Sequence, residues 1–284
     1  MPPRDFPIPR WSGESVAGKR ILIWSEQGVG DKLLFAGLLP ELARASAACT
    51  LEIEERLVPL FRRSFPQVDI VARRDPPDPS LALAAFDLQM PLGDLPRFLR
   101  PSLGSFRPLG SYLKGDPALT DELRRRYRRP AFATVGIAWA SRAPKGIPLA
   151  DFAPLLTLPG TKWVSLQYGD HADEIRSVER QLGTRIECDP SIDPLSNLDG
   201  SVAQTAALDA VVTIQNATLY VAGALGLPTF ALTPAGPDWR WFGRDTSPWH
   251  ESVKLYRRQE TAGNEPALAH LAADFAAWLD HFPR

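Results

Sequence analysis

Cysteine is scarce: Cys49 and Cys188 are the only two in 284 residues, far apart and without metal-ligand spacing. That excludes a disulfide framework and suits a reducing compartment, so a cytoplasmic location is expected. An excess of charge is also missing. With 32 basic and 33 acidic residues, the net charge is −1, and binding to nucleic acid by counterion release has no basis. The local run Arg124-Arg125-Arg126 and Arg128-Arg129 reads as a solvated helix face. Long apolar runs are absent too. The longest are broken by Gln215, Asn216, glycine and proline, so no membrane span is expected. The opening MPPRDFPIPRW has no apolar h-region, which argues against a secretion signal. Apolar residues are plentiful at 44%, enough for a sizeable core, and the length suits two domains of roughly 100–150 residues.

The organising stretch is 19–40. Residues 21–24 (ILIW) form an apolar run suited to a strand buried on both faces. Ser25-Glu26-Gln27-Gly28-Val29-Gly30 then breaks it, and Gly28 and Gly30 are expected to form a tight turn that uncovers amide N–H groups. Asp31 falls where a helix N-cap belongs, followed by Leu33, Leu34, Leu38 and Leu42 at helical spacing. Strand, turn and helix form the first unit of a doubly wound α/β domain, which binds ligands at the carboxyl ends of its strands. Further strands are expected at 48–54, 68–71 and 86–90, with helices at 56–65, 93–99 and 121–129. A second series has strands at 134–140, 162–167, 185–188, 210–214 and 229–232, with helices at 149–156, 171–182, 201–208, 217–225 and 266–279. The alternation predicts α/β with two parallel sheets facing a central cleft. The expected divisions are an extended Pro-rich arm at 1–18, a first domain at 19–125 and a second at 126–284.

Four clusters carry candidate chemistry. Gly28 and Gly30 supply two of the three glycines of a dinucleotide fingerprint, but Leu33 occupies the third position; Glu52 or Glu54 could bind a ribose. Asp31 is either a helix cap or a general base at a cleft. Gln215-Asn216-Ala217, with Tyr220 beyond, starts a helix that could receive a phosphate, and Arg142 and Lys145 form an anion clamp after another strand. Gln167 ends a neighbouring strand and is expected on the same wall. Asp238-Trp239-Arg240-Trp241-Phe242-Gly243-Arg244, then Ser247-Pro248-Trp249-His250, offers rings for stacking and arginines for phosphate. Its alternative role is a hydrophobic plug at the sheet edge.

In this order, Gly18-Lys19-Arg20 through Gly30-Asp31, Gly223-Ala-Leu-Gly226, Asp238-Trp-Arg-Trp241 and Ser247-Pro248-Trp249 resemble a known domain. It is the glycosyltransferase family 9-like (heptosyltransferase-like) domain found after tetratricopeptide repeats in bacterial proteins. The resemblance runs from about residue 11 to 259. It implies a GT-B fold, with an acceptor-side Rossmann-like domain first and a nucleotide-sugar-side domain second. It also implies inverting, metal-independent transfer of a sugar from a nucleotide-sugar to a protein or glycan acceptor, in keeping with the lack of a convincing D-x-D motif. No cofactor is implied beyond the nucleotide-sugar as co-substrate, and tetratricopeptide-repeat segments or proteins are implied partners. Asp31 would match the base. Lys145, with Arg142, would contact donor phosphates beside Gln215, Asn216, Ala217 and Tyr220; Gln167, Trp239, Arg240 and Trp241 would wall the nucleotide. Heptosyltransferases carry Asp-Thr/Ser and then His at the donor-phosphate loop, where this chain has Gln215-Asn216 and Tyr220. A catalytically inactive GT-B module that binds a nucleotide, glycan or protein is the alternative.

Overall fold

The computed structural model describes residues 4–107, 109–141, 145–236, 238–261 and 263–283. The chain divides into two compact units, Met1–Lys114 and Gly115–Arg284. In the first unit the elements run β1 (Arg20–Trp24), α1 (Val29–Ala36), α2 (Leu39–Ala45), β2 (Ala48–Ile53), α3 (Val58–Ser64), β3 (Asp69–Ala72), β4 (Leu88–Pro91) and α4 (Leu95–Leu99). All strand pairs are parallel, in the order β3-β2-β1-β4. Ile21, Leu22 and Ile23 have no exposed surface, the burial that both faces of a covered parallel sheet impose.

Two expectations about this unit are corrected. The single helix expected after Asp31 is two helices, α1 and α2, interrupted at Gly37. A Cβ at Gly37 would lie 2.3 Å from Leu109 Cδ1, so a side chain there is excluded by packing. The expected arm, described from residue 4 to 18, has no helix or strand of its own, but it is part of the fold. Phe6 and Ile8 pack with Leu22, Trp24, Val71 and Leu81, covering one face of the sheet as a crossover helix would. Pro9 O accepts from Gln89 N at 2.9 Å, and Trp11 N donates to Gln89 O at 3.0 Å, so the arm pairs along β4. Arg4 holds Glu52 bidentately, through Nε to Oε2 at 2.9 Å and Nη2 to Oε1 at 2.6 Å. The carboxylate is wholly enclosed.

The second unit runs α5 (Pro117–Tyr127), β5 (Ala133–Ala138), α6 (Ala153–Leu156), β6 (Thr161–Ser165), α7 (Ala172–Leu182), β7 (Ile186–Glu187), α8 (Leu198–Ala206), β8 (Ala210–Ile214), α9 (Ala217–Ala224), β9 (Thr229–Thr233), β10 (Val253–Arg257) and α10 (Glu265–Asp280). Its sheet is parallel, in the order β10-β9-β8-β5-β6-β7, the doubly wound arrangement. The expected division after residue 125 would cut through α5. Instead α5 opens the second unit: Asp116 caps it by accepting from Leu119 N at 2.9 Å, and Leu123 and Tyr127 pack with Val164, Leu208 and Val211. A Cβ at Gly115 would come within 3.0 Å of Ala203 Cα, so the chain enters hard against α8. Strand β10 lies outside the sequence expectations. Among the described residues no helix is long and apolar enough to cross a membrane.

The enclosed Arg4–Glu52 pair yields a stability prediction. Arg4→Ala leaves a buried carboxylate without its partner and is expected to cost about 3–5 kcal/mol, measured by urea unfolding. A loss below about 0.5 kcal/mol, the range of an inert surface site, would mean that the arm does not hold this carboxylate in solution.

Candidate functional site

Each sheet has a switch point, where successive strands change the side on which they are added. In the first unit it lies between β1 and β4, and in the second between β5 and β8. The loops leaving those strands diverge and open a crevice at the carboxyl edge.

In the second unit, the loop after β8 turns directly into α9. Asn216 is its N-cap: Oδ1 accepts from Thr218 N at 3.0 Å and from Thr213 Oγ1 at 3.1 Å. Its Nδ2 donates to Ala140 O at 3.3 Å, tying the loop after β8 to the loop after β5. The expected cap is therefore present, and it stitches the two sides of the switch point. Lys145 is half-buried in the β5 loop, while Arg142 lies outside the described residues. Ala217, half-buried, is the first residue of α9. Gln167 points inward to the same edge, with its Oε1 accepting from Trp139 N at 2.9 Å and Ala140 N at 2.8 Å. It also lines a cavity of about 490 Å³ at the ends of β6 and β7, with Asp170, His171, Cys188, Asp189 and Gln204.

Gln215 and the aromatic cluster are joined. Gln215 Nε2 donates to Asp238 Oδ2 at 2.5 Å, while its Oε1 is buried without a hydrogen-bond partner among the described residues. Burial pushes the Asp238 carboxyl up, but the Arg240 amide, Gln215 and the Arg240 guanidinium overcome this and hold it below the usual range. The expected wall Trp239-Arg240-Trp241 is split. Trp241 is buried and stacks on buried Tyr220, with centroids 6.1 Å apart and planes at 13°. Trp249 is also buried and donates from Nε1 to Arg240 O at 3.0 Å. Trp241 thus belongs to the hydrophobic plug that the sequence left as the alternative, its ring packed on Tyr220. Trp239 is 52% exposed, with the Arg240 guanidinium 4.9 Å from its ring centroid, and Phe242 is 42% exposed. Trp239 and Phe242 are the exposed rings of this turn among the described residues.

In the first unit, Asp31 is not the N-cap. Gly28 takes that place and α1 starts at Val29, so Asp31 is a half-buried acid in the first turn, where the helix dipole favours negative charge. Gly28 has φ −65° and Gly30 is helical; neither needs the left-handed region that the expected tight turn implied. Lys32, beside Asp31, is buried and ion-paired with Glu54. Glu26 was given no role by the sequence. Its Oε1 accepts from Gly93 N at 3.1 Å and Gln27 Nε2 at 3.0 Å, whereas Oε2 is buried without a partner among the described residues. Desolvation raises the Glu26 pKa against those two hydrogen bonds, with Asp94 adding a smaller repulsion. An isolated glutamate carries no periodic signal; only its place between a strand and a glycine turn hinted at it.

These two parallel α/β units define the class: the architecture is the GT-B fold of glycosyltransferases. It is similar to a family 9 glycosyltransferase from Veillonella parvula (TM-score 0.63, 14% identity, 92% of this chain and 96% of the other). It is also similar to the E. coli ADP-heptose lipopolysaccharide heptosyltransferase II (TM-score 0.62, 16% identity, 92% and 98%). The E. coli heptosyltransferase WaaC with ADP follows at TM-score 0.57 and 14% identity, covering 92% and 99%. In sequence, the chain is 35% identical to Protein FlbA of Caulobacter vibrioides, across 96% of this chain and 50% of FlbA. The chain thus spans about half the length of that curated relative. No protein-family model matches it.

The floor under α9 responds to acid. Gly223 packs so closely on His250 that a Cβ would lie 2.8 Å from its Cγ, and burial pushes the imidazole down to about 3. The unfolded chain binds this proton near pH 6.5 and the folded chain does not, so stability falls as pH drops from about 6.5 toward 3. This group alone contributes a slope of about 1.4 kcal/mol per pH unit. Chemical unfolding at stepped pH should show a shallower acid loss in His250→Asn. Equal slopes would mean that His250 protonates freely in the fold.

Proposed function

We propose that this chain is a glycosyltransferase that moves a sugar from a nucleotide-sugar to a hydroxyl-bearing protein or glycan acceptor, with inversion and without a bound metal. The observation that carries the reading is the second unit's switch point, where the capped start of α9 is tied through Asn216 Nδ2 to Ala140 O of the β5 loop, the loop that also carries half-buried Lys145. Departure of a nucleoside diphosphate builds negative charge, and a cation with a helix N-terminus fixed beforehand favours that charge at no reorganisation cost. The cavity beside Gln167 and His171 has room for the nucleoside, and Trp239 with Arg240 offers an exposed stacking face. On the acceptor side, Asp31 would take the proton of the attacking hydroxyl. It stands in the first turn of α1, half-buried, at the carboxyl edge of the first sheet.

The chemistry runs in one displacement. Asp31 removes the hydroxyl proton as the oxygen attacks the anomeric carbon from the face opposite the diphosphate. The bond to the diphosphate breaks, and Lys145 and α9 hold the departing group. Tetratricopeptide-repeat segments are proposed as partners that present the acceptor.

The binding-module reading is favoured by one observation: Gln215 is committed to Asp238, and Tyr220 is sealed against Trp241. Neither offers the charge that heptosyltransferases place in this loop. Release of the free nucleotide (a nucleoside diphosphate, or CMP from a CMP-sugar) separates the two readings. With UDP-, GDP-, ADP-, CMP- and dTDP-sugars, turnover of one donor is expected; binding by calorimetry without any release would establish the module instead. Asp31→Asn should retain donor binding but lower turnover by at least ~10²-fold, and unchanged turnover would remove Asp31 from the mechanism. Lys145→Ala should lower turnover by about 10–10³-fold through loss of leaving-group stabilisation. EDTA should leave the wild-type rate unchanged; a loss restored by Mg²⁺ would overturn metal independence.

A further inference from the structure

We propose that Glu26 is a positioning residue of the acceptor-side site, tying the loop after β1 to the loop after β4 so that α1 and its Asp31 start from a fixed place. This rests on the transferase reading and on Asp31 as its base.

The tie is made by one carboxyl oxygen. Glu26 Oε1 accepts the Gly93 amide at 3.1 Å and the Gln27 side-chain amide at 3.0 Å. Gly93 lies in the single turn Leu92–Asp94 that follows β4 and packs against α1. A Cβ at Gly93 would stand 2.5 Å from Glu26 Oε1 and 3.1 Å from Gln27 Cγ, so a glycine is what lets this backbone reach the carboxyl. Since β1 and β4 are the neighbours at the switch point, the bond joins the two loops that flank the crevice.

The other oxygen distinguishes this tie from an ordinary structural brace. Glu26 Oε2 is buried and has no hydrogen-bond partner among the described residues, and desolvation opposes the charge. A group selected for stability alone would have both oxygens satisfied. A carboxyl retained at such a cost, on the strand edge where the fold binds ligands, is accounted for by the placement it enforces on its neighbours.

The test combines steady-state kinetics on the full chain, using the nucleotide-sugar it turns over, with thermal unfolding. Glu26→Ala should lower kcat by ~10–10²-fold, the size expected of a misplaced group. It should leave the donor KM within about threefold and the melting temperature close to that of the wild type, because the desolvation cost of the orphaned oxygen is removed while the half-buried Gly93 amide loses its acceptor. Glu26→Gln keeps an oxygen for the Gly93 amide and should restore most of the rate. Gly93→Ala should resemble Glu26→Ala, and the double variant should be no worse than either single, since both break one tie.

Wild-type kcat in Glu26→Ala would overturn the proposal. So would a loss of rate matched by a loss of stability, additive effects in the double variant, or a Glu26→Gln variant as poor as the alanine. Failure of the underlying reading looks different. No free nucleotide released by the wild type with any donor, diphosphate or CMP, removes both. Wild-type release that Asp31→Asn leaves intact removes the role of Asp31, and this proposal with it, but keeps the transferase.

Discussion

A parallel strand cannot hairpin to its neighbour. Each strand must be followed by a crossover that returns the chain over one face of the sheet, and the face is chosen by the side on which the next strand is added. Both units of this protein start in the middle of their sheets, at β1 and at β5, build outward on one side and then return to the other. The loops after β1 and β4, and after β5 and β8, are thereby forced apart at the carboxyl edge. The candidate chemistry falls there: Asp31 and Glu26 at one edge, Asn216, Lys145 and Gln167 at the other.

Burial on both faces imposes a second condition, because the polar groups that end each strand must find partners inside the protein. Gln167 accepts the Trp139 and Ala140 amides, and Asn216 bonds Ala140 O while capping α9. Arg4 and Lys32 meet Glu52 and Glu54 at the ends of the first sheet. These side chains hold the edges rigid and leave few groups to face a ligand. Gln215 Oε1 and Glu26 Oε2, one at each edge, are among the buried side-chain atoms that find no hydrogen-bond partner among the described residues.

The aromatic stretch after β9 shows how a single turn serves packing and surface together. Trp241 and Trp249 close the space beside Tyr220, whereas Trp239 and Phe242 turn outward, Phe242 with φ +50° next to Gly243. The Asp238 carboxylate, bonded to Gln215 and Arg240, anchors the turn to the end of β8. Residues adjacent in the chain thus divide between core and exposed face, and composition carries no information about which is which.

Much of the architecture was legible in the residues. Apolar runs such as ILIW and AVVTI could only be strands covered on both faces, and Asn216 after such a run could only begin a helix economically. Those are local matters, settled by side-chain periodicity and by the hydrogen-bonding reach of one residue. Strand β10 escaped because VKLYR is short and follows a tryptophan-rich turn. The arm escaped because proline composition says that a chain is extended, and says nothing of what Phe6, Ile8 and Arg4 will cover. The start of α1 at Val29, the inward ring of Trp241, the place of α5 in the second unit and the Glu26–Gly93 bond were decided by tertiary structure alone. Each depends on a partner that is distant in the chain or on the surface already occupied by another element, and close packing admits only the arrangement in which both fit.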